Sequence, residues 1–189
     1  MKKRYISLLF SLAVATGILL RGGNFILSEQ IVAHPLSQTN QQNVSLSPSE
    51  RYPVVRIIDG DTIIVRINGK LEKVRLIGLN TPETVDPRKS VECFGKEASD
   101  EAKKILAGRS VRLETDPSQT ARDKYDRLLA YIFLEDGTNF NKMMIESGYG
   151  YEYTYDVPYT YQKEFKEAEK MARENKMGLW AEGLCNKNF

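Results

Sequence analysis

The chain reads as an α+β domain in which a five-stranded β-barrel is combined with three α-helices. Three observations predict it. Between positions 52 and 77, β-branched residues alternate with polar ones; two further apolar runs of strand length lie near 110 and 130; and three stretches repeat apolar residues at helical spacing. All of these fall after position 50.

Taken in order, Tyr52–Ile58 and Thr62–Ile67 are β-branched and alternating, and Asp59-Gly60-Asp61 joins them. Asn68-Gly69 follows. That pair is the strongest short hairpin signal, because both central positions of the turn need φ > 0. Lys73–Ile77 then returns as a third strand. Three antiparallel strands in about 26 residues predict a meander that curls into a small barrel. From Gly95 to Ala107, residues Ala98, Ala102, Ile105 and Leu106 share one helical face, and Gly108 stops the helix. Ser110–Glu114 and Leu128–Leu134 supply two more strands. A second helix runs from Asn139 to Ser147 and ends at Gly148; a third runs from Thr160 to Asn175 with Tyr161, Phe165, Ala168 and Ala172 on its apolar face. This strand set suits an OB-type barrel.

The first fifty residues have a different character. Met1-Lys2-Lys3-Arg4 is a basic opening, followed by 16 residues, Tyr5 to Leu20, that are largely apolar and end at Arg21. The run is shorter than the roughly 18–20 residues that span a bilayer comfortably and is near the length of a signal-peptide core. Residues 1–22 are therefore expected to be a signal peptide or an uncleaved membrane anchor. Either would engage export machinery or the membrane and place the rest outside the cytoplasm. Residues 23–50 read as a flexible polar linker, since positions 34–50 contain no Lys, Arg or aromatic residue. The domain is expected at 51–182, with a C-terminal tail at 183–189.

Composition excludes several chemistries. There is one histidine, His34, in the linker, and two cysteines, Cys93 and Cys185. These cannot supply the Cys/His ligands usual at zinc sites, nor the base of a Ser-His-Asp or Cys-His nucleophile. Catalysis must run on carboxylates, Arg, Lys, Tyr and hard-metal chemistry. Setting aside the four basic and two acidic residues of the first fifty leaves 23 of each sign in residues 51–189. A broad basic face for duplex DNA is not indicated. Contacts to nucleic acid would have to come from a few local cations.

Three polar segments interrupt the apolar pattern. Asp59 and Asp61 flank a glycine between strands, which reads as a tight turn or as a pair of oxygen ligands. Arg75 sits in an apolar strand just before Asn80-Thr81-Pro82-Glu83. A strand arginine there is either a snorkelling edge residue or one that meets an anion. Arg122 to Arg127 form a charged loop, solvated or functional, entering the apolar strand at Leu128. Together they offer oxygens (Asp61, Asn80, Thr81), a spare carboxylate (Glu83) and two arginines. Oxygen donors without nitrogen or sulfur favour Ca²⁺ or Mg²⁺. Metal and guanidinium groups neutralise charge developing on a phosphodiester, while a carboxylate orients or deprotonates a water.

The chain resembles the thermonuclease (staphylococcal nuclease) family. The matching stretches are Ile58-Asp-Gly-Asp-Thr62, Val74 to Thr84, Glu92 to Ser99, Asp123 to Ile132 and Gly178-Leu-Trp180, in family order across residues 52–181. The resemblance implies an OB-fold barrel with three helices. It also implies a Ca²⁺-dependent phosphodiesterase that cuts DNA and RNA with little sequence preference and leaves 3′-phosphate ends. By position, Asp61 resembles the metal carboxylate and Thr81 the residue offering a backbone carbonyl. Glu83 is similar to the general base or water-orienting carboxylate, and Arg75 and Arg127 to the phosphate-binding arginines. Lys124 and Tyr125 resemble the pair that holds the terminal phosphate, and Tyr153 and Tyr155 the tyrosines against which base and sugar stack. Asp59 resembles a second acid near the metal that is not a direct ligand.

One departure stands out: Asn80 occupies the place of a second metal-binding aspartate. It keeps a carbonyl oxygen but removes a negative charge, so weaker Ca²⁺ affinity with activity retained is expected. An exported domain with Cys93 and Cys185 can form one disulfide, the alternative being two unpaired thiols. The bridge would stabilise the fold by about 4 kcal/mol in the loop-entropy model. The chain is expected to act as a monomer on DNA and RNA with no obligate protein partner. Competing readings are a catalytically weak or inactive nucleic-acid-binding module on the same barrel, or an exported ligand-binding domain.

Overall fold

The computed structural model describes residues 45–88 and 90–185. The signal peptide or anchor expected at 1–22, most of the linker, and the last four residues of the tail lie outside the described residues.

Strand β1 (Tyr52–Ile57) pairs antiparallel with β2 (Thr62–Ile67), and β2 with β3 (Lys70–Leu76). The turn between β2 and β3 is Asn68-Gly69, with φ of 50° and 79°, the left-handed conformation that this pair tolerates. β3 starts three residues earlier than its apolar pattern indicates. A two-residue turn sets Ile67 directly opposite Lys70, so pairing begins at once although Lys70 is exposed.

Helix α1 (Gly95–Leu106) leads to strand β5 (Ser110–Glu114), and a loop leads on to β6 (Leu128–Phe133). β6 pairs parallel with β3, antiparallel with β5, and β5 returns to β1, which closes a barrel in the order β1-β2-β3-β6-β5. The expected five-stranded barrel with three helices is present. Its interior is filled by alternate residues such as Val54, Ile63, Val65, Val74, Leu76, Val111, Leu113 and Ile132, all buried. Closure also removes unpaired strand edges.

α1 buries Ala98, Ala102 and Leu106, four residues apart, while Lys103 and Lys104 lie in its last turn, where they complement the helix dipole. Helix α2 (Phe140–Glu146) is capped by Asn139, whose side chain accepts the Lys142 N–H at 3.2 Å. α2 also carries the fully buried Asn141. Its Oδ1 accepts from Ile132 N at 3.1 Å and its Nδ2 donates to Ile77 O at 2.8 Å, so a polar core residue is satisfied by tying β6 to the chain leaving β3. Helix α3 (Gln162–Glu174) packs Phe165, Ala168 and Ala172 inward and lies against α2.

Two short strands add to the sequence reading. β4 (Gly78–Asn80) and β7 (Tyr151–Tyr153) form a separate antiparallel ribbon in which Asn80 faces Tyr151 and Gly78 faces Tyr153. Three residues are too few to show alternation. Residues ahead of β1 also contact the barrel. Leu46 packs against the core, and the Tyr52 hydroxyl accepts from Ser47 N at 3.0 Å while donating to Glu50 at 3.2 Å. Cys93, just before α1, is bonded to Cys185 with a Cα–Cα distance of 5.8 Å.

Candidate active site

The β1–β2 turn, the end of β3, β4 and the turn before β6 converge on one cleft of about 1100 Å³. It is lined by all eleven side chains that the sequence singles out for chemistry or binding: Asp59, Asp61, Arg75, Asn80, Thr81 and Glu83 on one part, Lys124, Tyr125 and Arg127 on another, Tyr153 and Tyr155 at a third.

At its base sits a pair of carboxylates. Asp59 and Asp61 are 8% and 6% exposed. Asp61 Oδ2 accepts the Thr81 N–H at 2.9 Å and lies 3.3 Å from Arg75 Nη2; its Oδ1 accepts from the Thr62 hydroxyl at 2.9 Å. Asp59 Oδ1 accepts the Asp61 N–H at 3.1 Å. Burial, and then the neighbouring Asp61 charge, push the Asp59 carboxyl up to about 7. Gly60 between them is needed for space rather than for its φ. A Cβ there would come within 2.6 Å of the Thr81 side chain. The tight turn and the acid pair are thus one device, which lets Thr81 pack down onto Asp61.

Arg75 is drawn into this network. Nη1 donates to Leu76 O at 2.7 Å and to Leu79 O at 2.5 Å, and Nη2 donates to Asn80 Oδ1 at 2.8 Å. Asn80 Nδ2 donates in turn to the Tyr151 hydroxyl at 2.6 Å. The strand arginine therefore meets an anion, Asp61, and is not a snorkelling edge residue.

Glu83 opens a loop whose neck is closed by two reciprocal bonds, Glu83 N to Glu92 Oε2 at 3.0 Å and Glu92 N to Glu83 O at 2.9 Å. Its own Oε1 accepts from the N–H groups of Thr84, Val85 and Asp86 at 2.8, 2.6 and 3.1 Å. Opposite, a turn with Asp126 at φ 61° presents Lys124, Tyr125 and Arg127. Asp123 organises it: Oδ1 accepts from Tyr125 N and Arg127 N, and Oδ2 accepts Arg127 Nε at 2.6 Å. Among the described residues, the Nη1 and Nη2 groups of Arg127 meet no protein acceptor. Tyr125 is 69% exposed, with Lys124 Nζ 5.1 Å and Arg127 Cζ 5.4 Å from its ring centre. The Tyr125 and Tyr155 phenols hold the Lys124 ammonium above its ordinary value. Tyr153 and Tyr155 are exposed, with ring centres 6.3 Å apart.

Among the described residues, no three acidic, histidine or cysteine side chains are close enough together to hold a metal ion by themselves. A hard cation would rely on Asp61, the neighbouring Asp59 and backbone carbonyl oxygen, and Thr81 is the candidate for the last. The donors fit such an ion: they are all oxygen, and Asp61 and Asp59 lie side by side at the base of the cleft.

The model of the staphylococcal nuclease homologue family matches residues 73–182. The chain belongs to this family. The thermonuclease of Staphylococcus hyicus is 40% identical over 77% of this chain and 80% of its own, and that of Staphylococcus intermedius 42% identical over 69% and 76%. Endonuclease YncB of Bacillus subtilis (strain 168) is 33% identical over 82% of this chain and 71% of its own. The family resemblance carried by the five ordered sequence blocks is thereby confirmed, and the enzyme class is that of a hydrolytic nuclease. Within this nuclease homologue, the sequence reading assigns no role to several cleft residues, among them Tyr151, Glu92, Asp123 and Arg122. Tyr151 has a sequence signal, since Tyr149, Tyr151, Tyr153 and Tyr155 alternate at strand spacing. The other three act through hydrogen bonds to neighbours, which spacing does not reveal.

Proposed function

We propose that this protein is an exported, calcium-dependent nuclease that hydrolyses phosphodiester bonds of DNA and RNA with little sequence preference, leaving 3′-phosphate ends. The observation that carries the reading is a buried carboxylate pair, Asp59 and Asp61, sharing one cleft with Arg75, Arg127 and Glu83. Asp61, with Asp59 beside it and the Thr81 backbone carbonyl, would hold the calcium ion. When bound, calcium supplies positive charge that stabilises the phosphate as its own charge builds.

The remaining work belongs to the chain. Arg127 keeps one edge on Asp123 and offers its terminal nitrogens to non-bridging phosphate oxygens, a bidentate match that lysine cannot make. Arg75 adds a second positive charge from the floor of the cleft. Glu83 has Oε1 committed to its own loop, so Oε2 is the oxygen that orients a water and accepts its proton. Water attack forms the new P–O bond as the P–O5′ bond breaks, and the leaving 5′-oxygen takes up a proton. Lys124 and Tyr125 hold a terminal phosphate, and Tyr153 and Tyr155 give stacking faces that tolerate any base. Exposed stacking faces of this kind do not discriminate between bases, which supports weak sequence preference.

Export is supported by the basic and apolar N-terminus, which would engage secretion machinery or the membrane, and by the Cys93–Cys185 bond, which persists in oxidising compartments. The enzyme acts as a monomer with no obligate protein partner. The test is product chemistry. 5′-labelled single-stranded DNA and RNA of mixed sequence are digested with calcium, and the products are treated with phosphatase. A mobility shift of every product shows 3′-phosphate ends; products that do not shift, or a single cut sequence, contradict the proposal.

A further inference from the structure

The resemblance gives position 80 to the cation, but the contacts of Asn80 lead elsewhere. Its oxygen accepts from Arg75 Nη2 at 2.8 Å, and its nitrogen donates to the Tyr151 hydroxyl at 2.6 Å. An amide side chain has one accepting and one donating end, so these two partners together decide which way it is turned. The arrangement is built into the backbone, because the β4–β7 ribbon sets Asn80 directly opposite Tyr151.

The consequence falls on Arg75. Its terminal nitrogens donate to the acceptors Leu76 O, Leu79 O and Asn80 Oδ1, and the fourth, Asp61 Oδ2, lies 3.3 Å from Nη2 as an ion pair. Three of these four acceptors are neutral. The guanidinium is thus fixed in place while only Asp61 draws on its charge, whereas an aspartate at position 80 would add a second anion to it. We propose that Asn80 and Tyr151 form a positioning pair for Arg75, and that Asn80 serves the site through this arginine more than through the cation. The value of a fixed Arg75 rests on the nuclease reading above; the pairing itself does not.

Two measurements separate the alternatives. Calcium alone is titrated calorimetrically into the wild-type protein, Asn80→Ala, Asn80→Asp and Tyr151→Phe, and kcat and KM on single-stranded DNA are measured at saturating calcium. In Asn80→Ala the calcium Kd is expected to stay within about threefold while kcat falls by about tenfold or more, the scale of one lost hydrogen bond to a charged group. Asn80→Asp, which puts a second anion on the guanidinium and removes the amide donor to Tyr151, also lowers kcat. Tyr151→Phe lowers kcat in the same direction, and the double variant Asn80→Ala/Tyr151→Phe loses clearly less than the two single losses combined, as two members of one hydrogen-bonded network should. A calcium Kd weakened about tenfold in Asn80→Ala with kcat preserved, or additive effects in the double variant, overturns the proposal.

The second measurement needs no activity. Exchange of the Arg75 guanidinium protons with water, followed by NMR, is expected to speed up several-fold in both Asn80→Ala and Tyr151→Phe. Unchanged exchange in either variant overturns the pairing even if the wild-type protein cuts as proposed. A wild-type protein that neither binds calcium nor cuts removes the nuclease reading and leaves the pairing to be judged by exchange.

Discussion

Asp123 grips Arg127 at two points: its Oδ2 accepts the guanidinium Nε at 2.6 Å, and its Oδ1 accepts the Arg127 backbone N–H at 3.0 Å. One carboxylate thus shapes the turn and aims the side chain that the turn carries. Asp123→Ala is expected to lower kcat by about 100-fold, the scale at which a catalytic group misplaced by an ångström loses its effect. Combined with Arg127→Ala, it should cost little more than Arg127→Ala alone. Fully additive losses in single-turnover rates would show that Asp123 acts on something other than Arg127.

Gly60 is a second lever on the site. A methyl group there collides with Thr81, which donates its N–H to Asp61. Gly60→Ala is expected to destabilise the fold by about 1–3 kcal/mol through overpacking and to weaken calcium binding several-fold. Urea unfolding and calorimetric calcium titration measure the two effects separately. Unchanged calcium affinity in a destabilised variant would mean that Thr81 lies outside the ion's shell.

Away from the cleft, Asp116 carries much of the loop between β5 and β6. Burial pushes its carboxyl up, but hydrogen bonds from the Tyr131 hydroxyl, Thr160 N, Ser118 N and Ser118 Oγ outweigh this and hold it well below the usual carboxylate range. A carboxyl lowered on folding contributes stability that is fully present above its unfolded value, about 3.9, and is lost as pH falls through the folded value. Asp116→Asn is therefore expected to lose about 2–3 kcal/mol at pH 7, with the deficit shrinking below about pH 4. Denaturant unfolding across that range checks it, and a deficit independent of pH would assign the loss to packing.

The Cys93–Cys185 bond spans 92 residues and fastens the chain after Trp180 to the start of α1. Replacing both cysteines with serine is expected to lower the unfolding free energy by about 4 kcal/mol if chain entropy dominates. The same denaturant midpoint before and after the replacement would contradict a stabilising bridge.

The barrel was legible in the sequence because its determinants are local. Asn68-Gly69 fixes one hairpin, and strands of five or six residues show their alternation. Ala98, Ala102 and Leu106 mark the buried face of α1. The β4–β7 ribbon was not legible, since each strand has three residues and their pairing is set by tertiary contact. In the cleft, charged residues out of place in apolar strands, such as Arg75, were visible. Residues that work by holding others were not: Asp123 looks like any loop aspartate until its bonds to Arg127 are seen. Asn80 was legible as a departure in charge, yet its bonds to Arg75 and Tyr151 come from a strand register that no local pattern announces.

The most direct test is digestion of heat-denatured DNA by the purified protein with Ca²⁺, with Mg²⁺ and with EGTA, beside Arg127→Ala. Cutting that requires calcium, stops in EGTA and falls by about 100-fold or more in Arg127→Ala is the expected result. No cutting with either metal, by protein shown to be folded, would contradict the proposed enzyme and leave a nucleic-acid-binding barrel in its place.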